Sequence, residues 1–361
     1  MSQQAEVTII NIISGKGGTG KTLFACVLAD MLGNAPDTSV LMVDLDVFVR
    51  GLTSLLYFHR EERLHIAAED ELVVAKLFTG KVTKPSPTLH RLAITKYRSF
   101  DVVPAVSRID EVLSVHDLSP DNHLEARRIL QTLLALIPAK YRFVVLDSRA
   151  GYDELIAATH ELSDVSICVE EPDPISRVTA DNLLAQLRSD SQTPLFRLTN
   201  KARGITSEKD LQRETTRPLP PPLQVRDVTD LGLIPFDMDV LNSFGAKDFW
   251  DQIVHSLYRV AVTRVWNRLA AELQLGVELS SPRLSPVGSE RLEARVGLLA
   301  WRERIYLVYG LLIALVGIVY GLGGREMLVL FQEDPLRLVS LVIGFLGLVF
   351  TLSIFLRLGR R

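Results

Sequence analysis

Apolar residues along this chain fall into three kinds of block, and the order of the blocks predicts the architecture. Short runs at Val7–Ile13, Ser39–Val43, Asp101–Pro104, Arg142–Leu146, Asp164–Val169, Leu195–Leu198 and Leu231–Pro235 have the length of strands. Between them lie segments that read as helices, Leu23–Leu32, Asn122–Leu136 and Val178–Leu187. In the second of these, Leu124, Ile129, Leu130, Leu133 and Leu134 fall near helical spacing. A long helix over about Ala246–Leu273 carries a slowly drifting stripe of Phe249, Ile253, Leu257, Ala261, Val265, Leu269 and Leu273. Strand alternating with helix predicts an α/β fold with a mostly parallel sheet flanked by helices. The mixed stretch Tyr57–Ser99 accommodates one or two helices, with Pro85 and Pro87 breaking a loop.

The third kind of block stands apart. Ile305–Gly323 and Leu338–Leu356 are free of charge, and each is about 19 residues long, enough to cross a hydrocarbon core. They predict a C-terminal two-helix transmembrane hairpin, reached through the Ser-, Pro- and Gly-rich linker Gly276–Gly288. The expected organisation is therefore residues 1–275 as one domain, 276–300 as linker and juxtamembrane segment, and 301–361 as the hairpin. Arg291, Arg295, Arg302 and Arg304 precede the first span, and Arg357, Arg360 and Arg361 follow the second. Positive flanks place both termini in the cytoplasm.

Composition narrows the class. The 361 residues are 47% hydrophobic and 23% charged, which suits a folded domain with an appendage rather than a disordered chain. A net charge of -3 gives no global basic footprint, so no nucleic acid is implied. Cys26 and Cys168, each inside an apolar run, read as buried free thiols of a reducing compartment. The polar start Met1–Glu6 leads straight into the first strand, and no secretory signal is expected.

Candidate chemistry begins where the first strand ends. Ser14-Gly15-Lys16-Gly17-Gly18-Thr19-Gly20-Lys21-Thr22 joins that strand to the helix opening at Leu23. The spacing Gly15-x4-Gly20-Lys21-Thr22 fits a phosphate-binding loop: backbone N–H groups and a helix N-terminus surround the phosphates, Lys21 reaches the β/γ oxygens, and Thr22 ligates Mg²⁺. Strand ends deliver two further sets of carboxylates to the same crevice, Asp44 and Asp46 after Ser39–Val43, and Asp147 after Arg142–Leu146. A carboxylate in the position of Asp147 typically holds Mg²⁺ through water.

The form Lys16-Gly17-Gly18-Thr19-Gly20-Lys21-Thr22 resembles the deviant Walker A loop of the ParA/MinD family, P-loop ATPases of partition and cell-division-site selection. The resemblance covers roughly residues 7–245. It implies that Lys16 crosses a homodimer interface to the partner's nucleotide, that Asp46 orients the attacking water, and that Asp44 supports the Mg²⁺ shell. Asp147-Ser148-Arg149-Ala150-Gly151 is similar to the family's Walker B and switch II segment, with Arg149 where proline is usual. That arginine is either a cation near the phosphates or a solvated side chain. Glu170–Ser176 resembles the loop leading to the dimer face, Asn200 matches the position whose amide reads adenine, and Leu233–Val240 matches a segment whose backbone from Pro235 onward lines the base. The Pro-rich Arg217–Leu223 reads as a stiff surface loop.

Together these imply an ATP hydrolase requiring ATP and Mg²⁺, anchored in the lipid bilayer of the cell inner membrane by the hairpin. Its ATP-dependent dimer would organise an unidentified protein partner at the cytoplasmic face. Two rivals are a bacterial tyrosine-kinase-like enzyme, against which stand the order of hairpin and domain and the absence of tyrosine from Arg357–Arg361, and a non-hydrolysing scaffold.

Overall fold

The computed structural model describes residues 7–59, 67–68, 70–79, 91–113, 120–216 and 228–280. The chain divides into two compact units, Met1–Ser285 and Pro286–Arg361, and every described residue belongs to the first. Both apolar spans, the arginines that flank them and the Pro-rich Arg217–Leu223 lie outside the described residues. Among the described residues no helix is long and apolar enough to cross a membrane.

The strands are β1 (Thr8–Ser14), β2 (Val40–Asp44), β3 (Glu71–Leu72), β4 (Arg91–Leu92), β5 (Thr95–Tyr97), β6 (Phe100–Val103), β7 (Phe143–Ala150), β8 (Val165–Glu170), β9 (Leu195–Ala202) and β10 (Thr229–Pro235). Eight of them form one sheet in the order β10-β9-β8-β1-β7-β2-β6-β5, parallel throughout except for β5 at the edge. β3 and β4 pair separately.

The helices are α1 (Lys21–Gly33), α2 (Gly51–His59), α3 (Val74–Phe78), α4 (His123–Ala135), α5 (Glu154–Glu161), α6 (Pro174–Asp190), α7 (Glu208–Thr216), α8 (Met238–Ser243), α9 (Phe249–Val254) and α10 (Leu257–Leu273). They cover both faces of the sheet, and the period of two along each strand decides which side chain meets which layer. Val40 and Met42 of β2 join the cluster containing Phe24 and Leu28 of α1 and Trp266 of α10. Leu41 and Val43 join the opposite cluster with Ile129, Leu130 and Leu133 of α4. Cys26 and Cys168 are free thiols and buried, and burial pushes both thiols up in pKa, Cys168 to about 12.

Local chemistry overrides the apolar stripe at one place. The expected single helix over 246–273 is broken into α9 and α10, because Ser256 is extended and its Oγ accepts from the Arg259 N–H at 3.2 Å, capping α10. Past Gln274, at φ 54°, the chain folds back: Trp266 Nε1 donates to the Val277 carbonyl at 2.8 Å, and Val277 and Leu279 are buried. The packed body therefore runs on beyond residue 275.

The sheet order sets the crevice. β1 lies between β8 on one side and β7 on the other, so the strand order reverses there, and ligands of such sheets sit outside the carboxyl ends of the strands at that point. Gly15 follows β1 and Asp44 ends β2 at that edge, with Asp147, inside β7, in register with Asp44.

Candidate functional site

Gly15 to Gly20 connect β1 to α1 under two steric demands. A Cβ on Gly15 would stand 2.3 Å from the Thr179 carbonyl carbon of α6, so the residue must be glycine for the helix to pack there. Gly20 has φ 89°, a left-handed conformation that places it as the N-cap of α1. The loop's carbonyls are turned to the protein: Ser14 Oγ donates to Lys16 O at 2.7 Å, Asn200 Nδ2 donates to Thr19 O at 2.8 Å, and Lys201 Nζ donates to Gly18 O. The backbone N–H groups from Lys16 to Gly20 have no backbone acceptor among the described residues. A row of unused N–H groups ending at the positive end of a 13-residue helix is a cradle for an anion.

Lys21 is buried, and Thr22 Oγ1 donates to Asp147 Oδ2 at 2.7 Å. The other carboxylate oxygen of Asp147, Oδ1, is buried without a hydrogen-bond partner among the described residues. Burial pushes Asp147 up to about 6 against the opposing pull of Thr22 and Lys21, and burial together with the charge of Asp147 pushes Asp44 up to about 8. Two carboxylates that resist ionisation, an orphaned acceptor and an adjacent hydroxyl fit a hard divalent cation, which prefers oxygen ligands and relieves that repulsion. Thr22 and Asp147 are the residues that would hold Mg²⁺. Asp44 instead has its oxygens engaged: Oδ2 accepts from Thr53 N–H at 2.8 Å and Thr53 Oγ1 at 2.7 Å, and Oδ1 accepts from Asp46 N–H at 3.2 Å. It ties α2 to the end of β2.

Asp46 opens the turn between β2 and α2. Its Oδ1 accepts from the Val49 N–H at 3.0 Å, so one oxygen holds the turn while the side chain remains half-buried. The turn leans on the loop, since a Cβ on Gly51 would stand 3.3 Å from Thr22 Oγ1. Arg149 is not a solvated side chain: it is 15% exposed and paired with Asp153.

Lys16 lies on the rim and is held within its own chain. Its Nζ is 2.9 Å from Glu171 Oε2 and 3.0 Å from Asp173 Oδ2, both in the turn between β8 and α6. Glu171 and then Asp173 raise the Lys16 pKa. Burial would raise Glu171, but Lys201 and Lys16 outweigh it and hold the carboxyl below its usual range. Asp173 also caps α6, accepting from the Ser176 N–H at 2.9 Å, and that bond lowers its pKa first and Lys16 second.

Beside this turn is a cavity of about 380 Å³ lined by Glu171, Pro172, Asp173, Lys201, Arg203 and Phe236, with the Arg203 guanidinium 5.9 Å from the centre of the Phe236 ring. Phe236 directly follows Pro235, which is buried as the last residue of β10. Asn200, next to Lys201 in β9, is fully buried and does not line the cavity; its amide is engaged by Thr19 O and by the Lys201 N–H at 2.9 Å. Here it braces the phosphate loop. Sequence reasoning missed Lys201 and Arg203, and took Glu171 only as part of the loop leading to the dimer face. The available signal was position, at the end of β9 for Lys201 and Arg203 and just past β8 for Glu171.

Comparison with known proteins bears on this geometry. A family model described as an AAA domain matches residues 7–193, just over half of the chain. This chain belongs to that AAA domain family. A ParA family protein from Mycoplasma genitalium is 25% identical over 169 residues, covering 46% of this chain and 60% of the relative. The alignment thus spans under two thirds of that curated relative. Among solved structures, the septum site-determining protein MinD complexed with Mg-ADP from Pyrococcus horikoshii superposes with a TM-score of 0.52 at 20% identity, over 76% of this chain and 100% of the other. A plasmid partition protein from Borrelia burgdorferi bound to AMPPNP gives 0.53 at 19% identity, over 74% and 100%. A chain of the MinC:MinD cell division protein complex of Aquifex aeolicus is similar at 0.52 and 18% identity, over 77% and 99%. At these identities the likeness establishes the fold: a mostly parallel ParA/MinD-like P-loop domain.

Proposed function

We propose that this AAA domain is an ATPase that binds Mg-ATP, dimerises across it and organises a protein partner at the cytoplasmic face of a membrane. One observation carries the reading. The loop, Lys21, Thr22 and Asp147 meet at the N-terminus of α1, where, among the described residues, the loop N–H groups have no backbone acceptor and Asp147 Oδ1 has no hydrogen-bond partner, an arrangement that suits a polyphosphate and its cation. Mg²⁺, when bound, would neutralise charge on the phosphate oxygens.

The chain's own residues divide the remaining work. Lys21 holds the β/γ oxygens, the loop amides fix the phosphate chain, and Asp46 uses the carboxylate oxygen not bound to Val49 to orient water. The cavity walled by Phe236 and Arg203 receives the base. Lys16, released from Glu171 and Asp173, reaches the phosphates of a second copy. Support for that second copy comes from apolar exposure around the crevice: Phe48, Val49, Tyr152, Ile175, Val178 and Met238 are all exposed, and all follow the carboxyl ends of strands. The MinD and plasmid-partition structures, captured with Mg-ADP and AMPPNP, and the MinC:MinD complex support nucleotide, cation and protein partner for this chain.

Residues 1–275 with the fold-back segment form the ATPase unit in this reading. Residues 301–361 form a permanent anchor of two spans in the inner membrane, with both termini cytoplasmic. The decisive binding test is labelled ATP with Lys21→Ala: binding should fall at least a hundredfold, and unchanged binding would sink the loop assignment. Release of ADP and phosphate without autophosphorylation separates the ATPase from the kinase-like rival, and bound ATP that is never cleaved supports the scaffold.

A further inference from the structure

Arg149 stands at the end of β7, two residues beyond Asp147, and it joins two segments that the hydrolysis reading treats separately. Its guanidinium pairs with Asp153 and lies 5.7 Å from the centre of the Phe48 ring. It is 15% exposed, and its Nε is buried with no hydrogen-bond partner among the described residues. A cation this far from water is retained only where its contacts repay desolvation, so the position is built rather than incidental.

The two sides of the contact differ in rigidity. On one side Arg149 belongs to a central strand. Asp153, its ion-pair partner, caps α5 by accepting from the Ile156 N–H at 2.9 Å, and the Gly151 N–H donates to Ser14 O at 2.8 Å, pinning the segment to the root of the phosphate loop. On the other side is the turn after β2, where Phe48 is 38% and Val49 74% exposed. Phe48 is two residues from Asp46 and adjacent to Val49, whose N–H holds the Asp46 carboxylate. Fixing the Phe48 ring therefore fixes the amide that aims Asp46.

We propose that Arg149 is a positioning residue for ATP hydrolysis: through Phe48 it fixes the Asp46 turn against the Asp147 strand end, with Asp153 holding the guanidinium in place. The inference rests on the ATPase reading above and adds to it the element that sets where the water-orienting carboxylate sits. Phosphoryl transfer is sensitive to such placement, a displacement of about 1 Å costing on the order of 100-fold in rate. An aromatic face and a guanidinium attract each other, whereas an aliphatic side chain of similar bulk has no ring quadrupole to offer.

The test uses the full chain in detergent. Arg149→Ala should lower kcat about tenfold or more while KM and ATP affinity stay within about twofold. Phe48→Leu should reproduce this loss, the double variant should be no slower than the slower single one, and Arg149→Lys should recover part of the rate. A readout without turnover accompanies these: chymotrypsin should cut the Phe48–Val49 bond faster in Arg149→Ala than in the parent, at equal thermal midpoints. Parental kcat in Arg149→Ala, a loss confined to KM, additive losses in the double variant, or equal cleavage rates would each overturn the proposal. A parent that hydrolyses no ATP would instead remove the ATPase reading, and the digestion would still decide whether Arg149 holds the turn.

Discussion

Gly15 and Thr22 show how single positions carry the site. Gly15→Ala places a methyl 2.3 Å from backbone on α6 that cannot rotate away. The variant should lose about 1–3 kcal/mol of stability, as overpacked sites do, and bind ATP more weakly; denaturant titration beside nucleotide binding measures both. Thr22→Ala removes the hydroxyl beside Asp147 but no phosphate contact, so ATP affinity measured with Mg²⁺ should fall toward the value measured in EDTA. Lys21, Thr22 and Asp147 were legible in the sequence because fixed spacing and strand ends dictate where they sit. Asp44 and Arg149 were not. Whether a carboxylate faces a metal or the Thr53 on the next helix, and whether an arginine is solvated or placed over Phe48 about a hundred residues earlier, depends on how the folded elements pack and not on local pattern.

At the scale of elements, the seven parallel strands of the large sheet were legible because burial on both faces leaves a continuous apolar run, whereas β3, β4 and β5, two or three residues each within the stretch Tyr57–Ser99 read as helical, were not. α2, α5 and α7 were not, being eight or nine residues long, too short for a helical period to declare itself. The break at Ser256 went unread because one capping hydroxyl outweighs a stripe that continues through it. The turn between β8 and α6 carries the element-level prediction. Glu171 and Asp173 hold Lys16 in its own chain, which competes with its reaching a second copy. The pair Glu171→Gln with Asp173→Ser keeps an N-cap for α6 while removing both charges. It should shift the ATP-dependent dimer to lower protein concentrations by a few-fold, as sedimentation in ATP with Mg²⁺ would show; an unchanged or weaker dimer argues that the contact is not a competitor.

At the scale of the whole molecule, the proposed nucleotide crevice lies in the first part of the sequence, and the two uncharged runs proposed as an anchor follow it. Residues 1–280 should remain in the supernatant after membranes are washed in carbonate, and the full chain should stay with the pellet. Release of the full chain would remove the anchor while leaving the ATPase reading in place.

The central claim is that two copies share the catalytic site through Lys16. The most direct measurement is ATP turnover per subunit as a function of concentration, using residues 1–280, with sedimentation of the same samples. The account predicts a rate per subunit that rises as dimer forms, a Lys16→Ala variant that binds ATP as monomer and barely turns it over, and an Asp46→Ala variant that dimerises on ATP yet hydrolyses it slower by roughly two to three orders of magnitude. A rate per subunit that stays flat down to concentrations where only monomer sediments, or parental turnover in Lys16→Ala, would contradict it.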